Sequence, residues 1–97
     1  MFVFTTPRKG TAVRTNVTVE SSGSGVLVSG NPNRKSIIFQ NQGSVTVFLG
    51  GLDVAVSGAS RGYALFAGAS FTDDATDKEW WGIAASSTAI VHILEVS

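Results

Sequence analysis

Apolar and polar residues alternate along this chain with a period of two, in short runs separated by turn-forming residues, which is the signature of half-buried β-strands. The clearest case runs from Asn31 to Gly51, NPNRKSIIFQNQGSVTVFLGG. Asn31-Pro32-Asn33 predicts a turn, because Pro32 fixes φ and Asn accepts turn geometry. Ser36–Gln40 and Val45–Leu49 are rich in β-branched and aromatic residues and read as strands. Asn41-Gln42-Gly43-Ser44 lies between them and is long enough for a hairpin loop, with Gly43 free to adopt positive φ. This hairpin is the expected centre of the fold.

The same reading extends in both directions. Thr11–Glu20 predicts a strand with Val13, Val17 and Val19 on one face and Arg14, Thr18 and Glu20 on the other. The SSGSG turn joins it to a short strand at Val26–Ser29, so the two are expected to form a hairpin. Beyond the central unit, Leu52–Ser57 continues extended, Gly58–Gly62 is a loop, and Tyr63–Ala67 is another strand. Thr72–Lys78, TDDATDK, reads as an exposed acidic loop. Glu79–Ala84 and Ala89–Val96 form the closing strands about a turn at Ser86–Thr88. The last strand is apolar on both faces, with Ile90, His92, Leu94 and Val96 on one and Val91, Ile93 and Glu95 on the other. Such a strand is expected to be buried on both faces, one against a sandwich interior and one against a partner. No window carries a helical period. Strands at roughly 8–12-residue spacing with turn signals between them predict an all-β fold, a small antiparallel β-sandwich or jelly-roll-like barrel of about seven or eight strands.

Residues 11–97 are expected to form this single domain, with residues 1–10 as an extended N-terminal arm or edge strand. Phe2 and Phe4 point the same way from an extended chain. Followed by Arg8 and Lys9, they predict an arm that docks on a neighbour or across its own domain. The segment is too short for a signal peptide, and its basic residues follow the apolar ones instead of preceding them.

With 97 residues, the chain has room for one small core. Charged residues make up 14%, against about 25% in soluble domains generally; so low a fraction suits surface that is covered by something, or strand faces coated with Ser and Thr. The net charge of zero gives no general attraction to nucleic acid or membrane. The charges are nevertheless unevenly placed. Up to Lys35 the basic residues are Arg8, Lys9, Arg14, Arg34 and Lys35, against Glu20 alone, and beyond it the acidic residues outnumber Arg61 and Lys78. That asymmetry suits contacts between copies as well as pairing within one chain. With no cysteine there is neither a disulfide framework nor a thiolate metal site, and no apolar run approaches the roughly 20 residues of a membrane helix.

Candidate chemistry is sparse. His92 is the only histidine and its nearest carboxylate, Glu95, falls on the other face of its strand. Asp73, Asp74 and Asp77 lack the alternating ligands, the central Gly and the final Glu of an EF-hand loop. Asp53 and Glu79 have nothing in the sequence to bring them together as a glycosidase pair. No Gly-rich stretch leads into the Lys-Ser/Thr of a phosphate loop, and the basic residues are not interleaved with stacking aromatics. The chain is therefore expected to be non-enzymatic, with no cofactor and no metal. Trp80 and Trp81, adjacent in a strand, point to opposite faces: one is expected in the core and the other at an intersubunit contact, a groove or a sugar platform.

The segment Arg34–Gly50, RKSIIFQNQGSVTVFLG, resembles a recurring pattern of small tailed-bacteriophage virion proteins: a basic residue leading a strand, an Asn-x-Gly turn, and a second strand ending in Gly. Leu65–Phe71, with Gly68, resembles the next strand and loop of that pattern. Trp81-Gly82-Ile83-Ala84 followed by Ser86–Glu95 resembles its closing hairpin. The resemblance covers the last two-thirds of the chain; the first third does not match. It is similar to head decoration (cement) proteins, and implies a structural role on the capsid exterior of the virion, bridging neighbouring capsomers. The implied partners are the major capsid protein and further copies of the chain, with a trimer suited to a threefold site and no direct contact with nucleic acid or membrane. The expected interface residues are Phe2, Phe4, Arg8, Lys9, Trp80 and Trp81. The alternative is a tail or head-fibre β-module that binds a carbohydrate or a host surface.

Overall fold

The computed structural model describes residues 11–97. Eight strands follow one another: β1 (Ala12–Glu20), β2 (Gly25–Val28), β3 (Ser36–Asn41), β4 (Val47–Gly50), β5 (Tyr63–Leu65), β6 (Ser70–Asp73), β7 (Trp80–Ala84) and β8 (Thr88–Val96). They make two antiparallel four-stranded sheets, ordered β1-β8-β3-β6 and β2-β7-β4-β5. The chain is paired as one long antiparallel ribbon, β1 with β8, β2 with β7, β3 with β6 and β4 with β5, and successive rungs fall in alternate sheets. The β3–β8 and β4–β7 pairings then close each sheet. This is the strand order of a jelly roll. At the open end of the ribbon Thr11 and Ser97 exchange both backbone hydrogen bonds, at 2.7 and 3.0 Å.

Period-two alternation delivers one face of each strand to the space between the sheets. The first sheet contributes Val19, Ile37, Phe39, Ala89, Val91 and Ile93, and the second contributes Leu27, Val47, Leu49, Leu65 and Ala84. Fully burying a Val, Leu, Ile or Phe side chain stabilises by about 1.5–3 kcal/mol. Phe39 stands at the centre, its ring 5.5 Å from that of Trp80, which in turn lies 5.6 Å from Phe71.

The expected hairpins do not form. β1 does not pair with β2, β3 does not pair with β4, and β7 does not pair with β8; each of these neighbours lies in the opposite sheet. The reason sits at the β3–β4 link. Asn41 points inward with 0% exposure. Its Nδ2 donates to the carbonyls of Val45 and Leu65, at 2.8 and 2.9 Å, and its Oδ1 accepts from the Gly43 N–H at 2.8 Å. These bonds serve backbone groups that have left one ladder and not yet joined the other, so the link becomes a corner between sheets. Gly43 packs against β8 there: a Cβ would come within 2.8 Å of the Ala89 Cβ.

Two further segments differ from the sequence reading. Leu52–Ser57, expected to continue extended, belongs instead to a loop between β4 and β5. Gly58 turns it back with φ of 81°, a conformation open to glycine, and Ala55 accepts a backbone hydrogen bond from Gly62 while donating one to Ser60. This loop lays Val54 over Phe48 and Ile83 on the outer face of the second sheet. The other segment is Ser70–Asp73, whose last two residues the sequence assigns to an acidic loop. It forms the edge strand β6, with Phe71 opposite Phe39 and Asp73 opposite Ile37.

Replacing Asn41 by Leu removes its bonds to two buried carbonyls and one N–H while keeping the volume. An unfolding free energy lower by about 3 kcal/mol is expected from such unsatisfied groups, measured as a fall in the urea midpoint with the m-value unchanged.

Candidate functional site

β8 lies in the middle of its sheet, and its alternation sends Ala89, Val91 and Ile93 into the core while Ile90, His92 and Leu94 face outward. Register sets their neighbours. Ile90 stands opposite Thr18; His92 is flanked by Asn16 and Gln40; Leu94 is flanked by Arg14 and Ile38. Thr72 and Ser70 of β6 continue the rows beyond Ile38 and Gln40. The side chains of Arg14, Asn16, Ile38, Gln40, His92 and Leu94 line an open groove of about 870 Å³ on this face. Ile90, at 46% exposure, extends the apolar row along β8. Gln40 Oε1 accepts from Gln42 Nε2 at 2.5 Å. The sequence shows the outward apolar side of the last strand but not the partners that β1 and β3 bring to it, because strand order decides which residues become neighbours.

The two tryptophans occupy opposite faces of β7. Trp80 turns inward, packs against Phe39 and Phe71, and donates from Nε1 to Asp73 Oδ2 at 3.1 Å. Trp81 turns outward and is half-buried against the small cluster of Phe48, Val54 and Ile83; its Nε1 is buried without a hydrogen-bond partner among the described residues. Neither ring lies open as a flat platform. Arg61 covers the same cluster, its guanidinium carbon 5.2 Å from the centre of the Phe48 ring. Phe2, Phe4, Arg8 and Lys9 lie outside the described residues.

The charged candidates separate. His92 and Glu95 fall on opposite faces of β8, as their spacing requires. Glu95 instead meets Arg34, with Nε donating to Oε2 at 2.8 Å. Arg34 is buried, and its other two nitrogens donate to the carbonyls of Lys78 and Ser29, at 2.6 and 2.7 Å. This side chain therefore holds together the end of β8 and the segments flanking β2 and β7. Asp53 lies in the loop over the second sheet, while Glu79 lines a separate recess with Gly30 and Asn31. Among the described residues no group of three or more His, Cys, Asp or Glu side chains is placed to hold a metal ion.

Of the three clustered aspartates, Asp74 and Asp77 are exposed and Asp73 is buried. Asp73 Oδ1 accepts from the N–H groups of Ala75 and Thr76, and Oδ2 accepts from the Thr76 hydroxyl at 2.6 Å and from Trp80. Burial by itself would raise its pKa. The hydrogen bonds from Thr76, Ala75 and Trp80 together outweigh burial and hold the carboxyl below its ordinary value. Such bonds favour the charged form, and they use both oxygens for structure.

A depressed folded-state pKa contributes stability that is present above the unfolded pKa, near 3.9 for Asp, and is lost as pH falls through the lower folded value. Asp73→Asn is therefore expected to be less stable than the natural chain at pH 7 by about 1–2 kcal/mol. The gap narrows as pH falls below about 4, which urea midpoints at pH 7, 5, 4 and 3 will show. Comparison of the chain with protein-family models, with characterised proteins and with solved structures gives no match.

Proposed function

We propose that the chain is a non-enzymatic structural protein of a tailed-phage virion, a decoration (cement) protein on the capsid exterior that bridges neighbouring capsomers. The observation that carries this reading is the outer face of the β1-β8-β3-β6 sheet. Its central strand is apolar on both sides, and the side away from the core presents Ile90, Leu94 and Val96 beside Ile38 with no segment among the described residues laid over it. The outer face of the other sheet, by contrast, is roofed by the chain's own β4–β5 loop. The jelly-roll order, common in viral capsid and lectin domains, supports the reading at the level of architecture, and the tailed-phage resemblance of Arg34–Gly50 supplies the context. The partners in this reading are the major capsid protein and further copies of the chain. Burial at about 25 cal/mol per Å² drives attachment, less the cost of association.

A second reading uses the same face. Arg14, Asn16, Gln40 and His92 surround the groove with donors and acceptors above an apolar floor of Ile38 and Leu94, an arrangement that suits a tail or head-fibre module binding a carbohydrate. Heat on titration with members of a glycan panel supports this reading, and its absence across the panel removes it.

Copy number in purified parent particles tests the first reading. A ratio to the major capsid protein of one to one, or a simple fraction of it, is expected for a decoration protein; a few copies per particle, or none, overturns it. In a capsid-binding assay Ile90→Asp with Leu94→Asp is expected to weaken attachment at least about tenfold, the equivalent of 1.4 kcal/mol, with the sandwich retained by circular dichroism. Deleting Met1–Lys9 is expected to leave the domain folded and weaken attachment; unchanged binding removes the arm from the docking surface.

A further inference from the structure

Among the described residues the two sheets have four edge strands, β1 and β6 in one, β2 and β5 in the other. Three of them are poor templates for further pairing. β5 has 3 residues and β6 has 4; β2 has 4, and its register breaks between Val26 and Val28. β1 is different. It has 9 residues, AVRTNVTVE, with no Pro and no Lys, and its pairing with β8 runs without a bulge from Ala12↔Val96 to Glu20↔Thr88. A long edge without a bulge offers a row of backbone groups to another strand.

We propose that the outward edge of β1 pairs antiparallel with β1 of a second copy, about a two-fold axis passing beside Val17. This pairing rests on the virion reading for its setting but puts a two-fold dimer in place of the trimer expected from the sequence, and its test in solution requires no particle.

Backbone parity limits the registers. Thr11 and Ser97 exchange hydrogen bonds, and Ser21 N–H donates to Ser87, so the odd-numbered residues of β1 bond to β8. The outward groups therefore belong to Ala12, Arg14, Asn16, Thr18 and Glu20. In an antiparallel self-pair these residues must face one another, because hydrogen-bonded pairs exchange both bonds. Among the registers that satisfy this, the one centred on Val17 sets Arg14 opposite Glu20 of the second copy and Asn16 opposite its Thr18. The two-fold axis repeats each pair. Opposite charges directly across a ladder are favourable and like charges are not. Within the chain, the one ion pair among the described residues is Arg34–Glu95, so Arg14 and Glu20 reach the edge without an ion-pair partner there.

The other face of β1 points the same way. Val13 and Thr15 share a side with the core residues Val17 and Val19 yet are exposed, Val13 at 51%. In the Val17-centred pair, Thr15 lies across from Val19 of the second copy and Val17 from its own counterpart. The product is a continuous eight-stranded sheet, with the outer faces of both copies on one side and the two grooves adjoining across the seam.

Sedimentation equilibrium of the full chain tests the pairing. At roughly 100 µM, above the dissociation constant of a modest interface, a mass of twice 10.1 kDa is expected; a monomer or a trimer overturns the proposal. Arg14→Glu alone sets like charges opposite one another at both symmetric positions, and so does Glu20→Arg alone. Each is expected to weaken the dimer roughly tenfold. The double variant R14E/E20R restores opposite pairs and is expected to recover the natural dissociation constant. Singles without effect, or a double no better than the singles, overturn the register. Circular dichroism melts establish that each variant is folded. A dimer that passes these tests but is absent from particles leaves the pairing standing and removes the virion reading.

Discussion

A chain that crosses repeatedly between two sheets must satisfy its backbone polar groups at every crossing, where neither ladder is available. A buried N–H or C=O without a partner costs on the order of 1–3 kcal/mol, so the crossings are where this fold is most exposed to failure. Three buried polar side chains meet that demand. Asn41 serves the β3–β4 corner and the end of β5. Arg34 takes carbonyls from the segments after β2 and before β7 while its charge is matched by Glu95. Asp73 folds the β6–β7 link back on itself and fastens the indole of Trp80. The apolar core supplies the gross stabilisation. These three residues make the rolled arrangement possible in a domain of this size, where the core is small.

The two sheets treat their outer faces differently. Phe48 and Ile83 point away from the main core, yet the loop between β4 and β5 covers them with Val54 and Arg61. Nothing comparable lies over β8 among the described residues, although Ile90 and Leu94 are as apolar as the residues that the loop hides. One apolar outer face is thus finished by the chain itself and the other is left as surface. That contrast gives the functional reading its direction.

Much of the fold is legible from alternation alone. The positions of β1, β3, β7 and β8 and the facing of their side chains follow from period two, and Trp80 and Trp81 fall on opposite faces as adjacent strand residues must. Pairing is not legible. A strand that turns back along its own sheet and one that crosses to the opposite sheet bury the same alternating positions, so Ser36–Leu49 reads as a hairpin until Asn41 is seen to face inward. β6 is hard to read for a related reason: Asp73 looks like part of a solvated TDDATDK run, and only its four hydrogen-bond donors explain its burial. The groove face is half legible, since β8 announces its own outward residues while Arg14, Asn16, Ile38 and Gln40 reach it only through strand order.

The exchange of hydrogen bonds between Thr11 and Ser97 also fixes how the domain responds to force. Both lie at the open end of the ribbon. Tension applied between them peels β1 from β8 one rung at a time, so each bond carries the whole load in turn and the strands part at low force. Tension carried along β1 and out through a strand bonded to its outward edge is shared by all the rungs at once, and the same backbone bonds then resist in shear. For a domain of this topology, mechanical strength depends on where it is held.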